Sequence, residues 1–569
     1  MKKISVILFS LLISISAIYA APKNANKNAN IRDNGDGSVN ILNVDKDASV
    51  KFKQKVDGFD NVTVITGSKV KKNNPVTVDL SAFGNQEVYL NFSCDIKIVD
   101  SQKGTNEISW VINDMNAGFP EVAYKKVKSD EWTSLKGDLA IPLGENKSLY
   151  ISGSGLTKEN LVFYIKNLQI KLTGDGVSAA KAAPVNWSQA PSLYEAYKDY
   201  FDYFGLACEY RADLKNPEVQ ENLPKIVNYI TLGNEFKPDF IFNWQKPSNL
   251  EDFLAEDGNT YKVPMGMPSF GSVKEILFLA SQMGVKIRGH VLVWHSQTPK
   301  WFFKVDYNEK NDYVDKATMN ARLEWYIKSV MNYVYDFEKK IGCKEHIVTM
   351  WDVVNEAVAD NAGSQKWLRQ DSDWFRVYGS EEFIINAFRY ANTYAPKDVL
   401  LIYNDYNCYN PGKCNAICNL VEQIKATPDA RINAVGMQSH VSMTSPKVTG
   451  TNSFEDAVKK FLEHDVDVQV TELDIANGSK PYSSVMLKSK YKEYFKMFLD
   501  NRKTEDKHGI MGVTIWGLSD AGTWLDDMDQ YKGHKQYPLL LDEEYNLKPA
   551  YYGVLEAAES YAESLESSK

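Results

Sequence analysis

Cysteine is scarce in this chain, six in 569 residues, and three of the six crowd together at Cys408, Cys414 and Cys418. No histidine stands at ligand spacing among them, which speaks against a zinc cluster. A disulfide formed after export and buried thiols are both open. Positive charge is also in short supply. Lys and Arg number 65 against 74 Asp and Glu, a net charge of −9. Neither a basic run nor a glycine-rich phosphate loop occurs, so nucleic acid is not an expected partner. Beyond the N-terminus no segment is long and apolar enough to cross a bilayer.

The N-terminus itself has the layout of an export signal. Lys2 and Lys3 precede the apolar stretch ISVILFSLLISISAIYA, and Ala20 and Ala21 lead into polar PKNANKNAN. Cleavage is expected after Ala20, giving a signal peptide over 1–20 and a chain secreted to the periplasm or the medium. The apolar run is short for a membrane span. No cysteine lies near the cut to carry a lipid, so the mature chain is expected to have no membrane partner.

Four further segments are expected. Residues 21–38, rich in Asn, Lys and Gly, read as disordered. Residues 39–173 carry short alternating runs such as VTVDL, EVYLNFSCDIKIV, EISWVIND, SLYISGS and LVFYIKNLQIKL, separated by turn formers, and predict an all-β sandwich. Residues 174–191 are small and polar, a linker. From 192 to 563 strand-like runs alternate with helical patterns in about eight strand–helix units, which predicts an α/β domain closed as a (β/α)8 barrel. A doubly wound open sheet is the alternative, but the glycine-rich first turn it usually carries is missing.

In nearly every predicted strand of this second domain the polar and aromatic residues gather at the C-terminal end. Asn234 and Glu235 end the second strand, His290 and Trp294 the third, Asn355 and Glu356 the fourth, Asn404 and Asp405 the fifth. Gln438 and His440 end the sixth, Glu472 and Asp474 the seventh, Trp516 the eighth. In a parallel barrel those ends converge on one face, where active sites form. Each residue taken singly has a plain structural explanation, and Trp294, Trp516 and Trp524 could each be core. Their agreement across separate strands favours a site. His290 and His295 are spaced like metal ligands on a helix, but on a strand that spacing puts them on opposite faces, so no metal is expected.

Two carboxylates flanking one bond are the equipment for cleaving a glycosidic linkage, and their environments must push the two pKa values apart. Glu472 is the expected nucleophile, with His440 placed to keep it ionised and Asp474 to orient His440. Glu356 is the expected acid/base, with Asn355 beside it to hold a sugar hydroxyl. The 12 Trp and 32 Tyr of the chain include faces suited to stacking on sugar rings.

The segments RGHVLVWHSQTPKWF, WDVVNEA, LLIYNDYN, INAVGMQSHV, VTELDI and TIWGLSDAGTWL, in this order, resemble glycoside hydrolase family 10, the endo-β-1,4-xylanases. The resemblance runs from residue 192 to 554. It implies a (β/α)8 barrel, a retaining mechanism without metal or other cofactor, and xylan or xylo-oligosaccharides as substrate. It implies Glu356 as acid/base, Glu472 as nucleophile, and His440 with Asp474 as support. It also implies substrate contacts from Asn234, Lys237, His290, Trp294, Gln297, Asn355, Gln438, Trp516 and Trp524. A monomer is expected. One departure stands out: where the family has Glu-Asn-Glu at the second strand end, this chain has Gly233-Asn234-Glu235, losing a carboxylate that grips the sugar one unit beyond the reacting one. A β-1,4-glucanase on the same scaffold is the nearest rival, and a barrel that binds sugar without cleaving it is a rival of another class. The first domain resembles a family 22 or family 4/9 carbohydrate-binding module, a β-jelly roll, with Lys166 and Asn167 where such modules usually carry an acidic pair. Trp110, Tyr124, Trp132 and Tyr164 are its candidates for sugar stacking; a spacer that binds nothing is the alternative.

Overall fold

The computed structural model describes residues 30–33, 39–44, 48–67, 76–79, 87–99, 105–112, 121–142, 148–152, 162–173, 185–363, 366–478 and 482–567. The expected signal peptide, and residues 174–184 of the expected linker, lie outside these. The chain forms two compact units that divide after Ala182.

The N-terminal unit is built from antiparallel strands in two sheets. One sheet has the order Asn30–Asp33, Val39–Val44, Val76–Asp79, Ser148–Ser152, Thr105–Ile112, Glu121–Lys128; the other Ala48–Val56, Phe59–Gly67, Val162–Thr173, Glu87–Val99, Thr133–Pro142. Alternate residues of the second sheet, among them Phe92, Cys94, Ile96 and Ile98 on one strand and Phe163 and Ile165 on another, are buried, the two-residue period of strands with one covered face. The pairing of Asn30–Asp33 with Val39–Val44 puts strand structure inside the segment expected to be disordered.

The second unit is a closed barrel. Its strands are β1 (Tyr203–Cys208), β2 (Tyr229–Leu232), β3 (Lys286–Trp294), β4 (Val348–Asn355), β5 (Leu400–Asp405), β6 (Ala434–Met437), β7 (Asp467–Ala476) and β8 (Ile510–Ile515). Neighbours pair in parallel around the ring, and β8 pairs with β1 to close it. Each strand is followed by a helix: α1 (Pro217–Ile226), α2 (Val273–Met283), α3 (Lys316–Lys340), α4 (Glu382–Tyr394), α5 (Pro411–Ala426), α6 (Phe454–Leu462), α7 (Ser484–Asp500) and α8 (Pro549–Ser567). Their starts follow from side-chain caps. Asn216, Asp315, Ser453 and Ser483 each accept from an amide of the first turn of α1, α3, α6 and α7, satisfying donors that a helix start leaves open.

The barrel interior is layered. Tyr203, Met350, Ile402, Ala434 and Met511 form an apolar floor at the strand starts. Above it lies a polar layer of Thr231, Arg288, Asp352, Asn404, Gln469 and Thr471, all buried, and above that the mouth. Outside the ring, Leu206, Ile230, Ile287, Val353, Leu401, Val435, Val468 and Val513 pack against the helices in one continuous core. Covered on both faces, the strands read as near-continuous apolar runs.

The linker expected over 174–191 ends too late. Trp187 is buried, stacks on Tyr545 and donates from Nε1 to Glu218 at 3.0 Å, and Asn186 bridges to Asn546. The residues just before 192 thus belong to the barrel unit, anchored by a single large aromatic that small polar neighbours disguise. Cys408, Cys414 and Cys418 are buried thiols without a disulfide, which resolves the alternative left open above.

Candidate active site

Glu356 directly follows β4 and sits in left-handed backbone, φ 55°, where its N–H donates to the Asn404 carbonyl of β5 at 2.9 Å. That conformation turns its side chain out of the strand line and into the mouth. Glu472 lies within β7, where the register against β8 shifts between Val470 and Leu473, a local irregularity of the kind that re-aims a side chain.

The two carboxylates share one hydrogen-bond chain. Asn404 Nδ2 donates to Glu472 Oε1 at 2.7 Å and to Asn355 Oδ1 at 2.9 Å. Gln438 Nε2 donates to Asn355 Oδ1 at 3.1 Å and to Glu356 Oε1 at 2.8 Å. Three residues of three different strand ends therefore tie the carboxylates to each other. Gly436 makes the chain possible: a Cβ there would overlap Asn404 Oδ1.

Their surroundings differ in charge. Glu472 has cations around it. His440 Nε2 lies 3.3 Å from Oε2 and His290 Nδ1 3.9 Å from Oε1. Burial alone would raise its carboxyl, but His290, His440 and Arg288 bring it down to about 2. His440 in turn holds Asp474 Oδ2 at 2.9 Å; burial would lower its imidazole, but Asp474 and Glu472 raise it to about 10. Trp524 Nε1 donates to the same Asp474 oxygen at 2.8 Å. Glu356 has neutral donors nearest it, Trp294 Nε1 at 3.1 Å, Gln438 and Asn355, and its one close imidazole, His295 with Nδ1 3.9 Å from Oε2, has its pKa lowered by burial.

On the β1–β2 side, Asn234 Oδ1 accepts from Lys237 Nζ at 3.3 Å and Gln297 Nε2 at 3.2 Å, and Lys237 Nζ lies 4.8 Å from the centre of the Trp294 ring. Trp516 stands edge-on to both His290 and His440, and Trp524 to His440, with 38% of its surface open. The thirteen residues of the second unit expected as catalytic, supporting or substrate-binding groups thus gather at one mouth. In the N-terminal unit, Trp132 and Tyr164 lie together on one sheet, with Lys166 Nζ 3.0 Å from the centre of the Phe59 ring and 4.5 Å from that of Trp132.

Of the polar layer beneath, sequence reasoning named Asn404 and missed the rest. Arg288 Nη1 and His290 Nδ1 both reach Asp352 Oδ2 at 2.7 Å, and Arg288 Nη2 donates to the Thr471 carbonyl. The signal was a charge inside each of the apolar runs KIRGHVLVW and TMWDVVN, since a buried charge requires a partner. Ligating atoms of His290, Asp352 and Glu472 lie within 4.8 Å of one another, but the guanidinium of Arg288 already supplies the positive charge there. Glu209, after β1, was also missed. Its carboxylate accepts from Asn234 Nδ2 at 3.1 and 3.3 Å, and burial with the nearby Glu235 pushes it up to about 7.

Residues 192–557 match the model of Glycosyl hydrolase family 10. The chain belongs to this family. Among its relatives, Endo-1,4-beta-xylanase Y of Acetivibrio thermocellus is 29% identical over 445 residues, 76% of this chain and 38% of that protein. A putative endo-1,4-beta-xylanase of Caldicellulosiruptor saccharolyticus is 35% identical over 328 residues, 55% of this chain and 98% of that protein. The bifunctional endo-1,4-beta-xylanase XylA of Ruminococcus flavefaciens is matched over 31% of its length, so this family 10 chain spans only about a third of some relatives. A solved structure of the CBM22-1 and GH10 modules of Clostridium thermocellum endo-1,4-beta-D-xylanase 10B, complexed with xylohexaose, is 25% identical. It covers 90% of this chain and 93% of that one, with a TM-score of 0.53. Its order, a family 22 module before a family 10 barrel, matches the two units seen here and favours family 22 over family 4/9 for the first.

Proposed function

We propose that this family 10 protein is a secreted, monomeric, retaining endo-β-1,4-xylanase that cleaves internal bonds of xylan and xylo-oligosaccharides. The observation that carries the mechanism is the pairing of two carboxylates with opposite surroundings on one hydrogen-bond chain. Glu472, held ionised by its cationic neighbours, attacks the anomeric carbon. Glu356, among neutral donors, gives its proton to the leaving glycosidic oxygen. The resulting glycosyl ester on Glu472 is broken by a water that Glu356 deprotonates, and two inversions at one carbon leave its configuration unchanged. Asn355, Gln438 and Asn404 fix the distance between the two groups, which spares the reaction the entropy of aligning them. His440 and Asp474 are positioning residues for the nucleophile. Asn234, Lys237, His290 and Gln297 offer hydrogen bonds to sugar hydroxyls, and Trp294, Trp516 and Trp524 offer apolar faces. Substrate and endo action are supported by the names of the relatives; export is supported by the N-terminal pattern, and among the described residues no helix is long and apolar enough to cross a membrane.

The test is proton NMR of xylohexaose hydrolysis. The first product formed should be the β-anomer, with α-anomer appearing only by mutarotation. Glu472→Ala should lose at least about 10³-fold in kcat, the scale on which loss of a catalytic group is felt. Initial α-product, or an unimpaired Glu472→Ala enzyme, would refute the mechanism. Faster release of sugar from carboxymethylcellulose than from xylan would favour the glucanase alternative.

A further inference from the structure

The register of β1 and β2 runs Gly205 beside Tyr229 and Ala207 beside Thr231. Continued by one pair, it sets Glu209 beside Gly233, and the Gly233 N–H donates to the Cys208 carbonyl at 3.0 Å. Both positions share the alternating face that points into the barrel. The Glu209 side chain occupies the space over Gly233: a Cβ at 233 would overlap Glu209 Oε1. The glycine therefore leaves room for a carboxylate from the next strand. That carboxylate is fastened on one side only, by the Asn234 amide. The β1–β2 corner holds it among sugar-directed groups. Asn234 is also bonded to Lys237 and Gln297, and Lys237 approaches the ring of Trp294, whose indole N–H is bonded to Glu356.

We propose that Glu209 is a substrate-binding residue which accepts hydrogen bonds from the hydroxyls of the sugar unit next to the reacting one, on the side away from the leaving group, with Gly233 as the space that admits it. The side follows from the strands involved. The proton donor Glu356 comes from β4, whereas Glu209 and Asn234 come from β1 and β2, past Trp294. An ionised or neutral carboxyl can accept from a pyranose hydroxyl pair, so the ligand class is a β-1,4-linked sugar chain at least two units long on that side. The inference rests on the glycosidase action proposed above for the groove.

The experiment compares kcat/KM for an aryl β-xyloside and an aryl β-xylobioside, which differ only in the second sugar. Glu209→Ala should lower kcat/KM on the xylobioside about tenfold to a hundredfold, the loss of one or two charge-assisted hydrogen bonds. On the xyloside it should change little. Glu209→Gln, which keeps the shape and an acceptor for Asn234, should show a smaller loss confined to the xylobioside, and it stands in should Glu209→Ala misfold. Adding Gly233→Glu to Glu209→Ala should restore part of the difference, because the new side chain fills the same volume. Equal losses on both substrates, or none on either, would overturn the proposal. Should the parent enzyme cleave aryl glucosides and cellobiosides instead, the xylan assignment fails, and the same ratio measured on that pair still decides the role of Glu209.

Discussion

His440 sits between two carboxylates, Glu472 at 3.3 Å and Asp474 at 2.9 Å, and together with His290 and Arg288 it holds the Glu472 carboxyl low. The signs are opposite for the two partners. Glu472 is depressed from its ordinary 4.5 to about 2, so the stability it contributes is full above pH 4.5 and is lost as pH falls toward 2. His440 is raised from 6.5 to about 10, so its contribution is full below pH 6.5 and is lost as pH rises toward 10. His440→Ala should therefore flatten the pH dependence of unfolding in both windows. It should also move the acid limb of kcat/KM to higher pH, as Glu472 loses a cationic neighbour; an acid limb at the parental position would dismiss this account. The candidate carboxylates were legible in the sequence because each breaks an apolar strand-like run with a charge, Glu356 just past the end of β4 and Glu472 inside β7. Glu209 was not, since its significance depends on a glycine one strand away.

Between elements, the packing of β5 decides most. Asn404 reaches both Asn355 and Glu472 only because Gly436 on β6 has no side chain. Gly436→Ala should displace the amide and cost about tenfold or more in kcat, the worth of one mispositioned hydrogen bond at the reacting groups. Steady-state kinetics against the thermal midpoint would separate this from simple unfolding, with the kinetic loss persisting where the enzyme is fully folded. One residue further, Asp405 at the end of β5 pairs at 2.8 Å with Lys413 of α5, both fully buried. Burial pushes Asp405 up to about 6 while Lys413 pulls against it. Lys413→Met leaves that carboxylate without its cation and should destabilise the fold by about 3–5 kcal/mol at neutral pH. The deficit should shrink as Asp405 takes up a proton in acid. Urea unfolding at pH 7.5 and pH 5 measures both. The element boundaries themselves were legible, because a period near two alternates with a period near 3.6 along residues 192–563. The start of the barrel unit was not: Trp187 counts as an anchor only once Tyr545, far along the chain, stacks on it.

For the whole molecule, every side chain of the candidate site and its supporting core lies in the second unit, residues 183–569. A chain beginning at residue 183 should therefore fold by itself and keep kcat/KM on xylotetraose to within about twofold, as expected of a domain with its own core. A large loss would show that the first unit contributes to the reaction. The sequence by itself determined the succession of strands and helices, the barrel they close into, and the concentration of polar groups at the strand ends, because these follow from local periodicity and from the one-sided geometry of parallel strands. Only the tertiary structure decided which charges neutralise one another beneath the mouth, that three amides link the two carboxylates, and that Glu209 fills the place over Gly233. Those facts are distances between residues remote in the chain, and no local pattern encodes them.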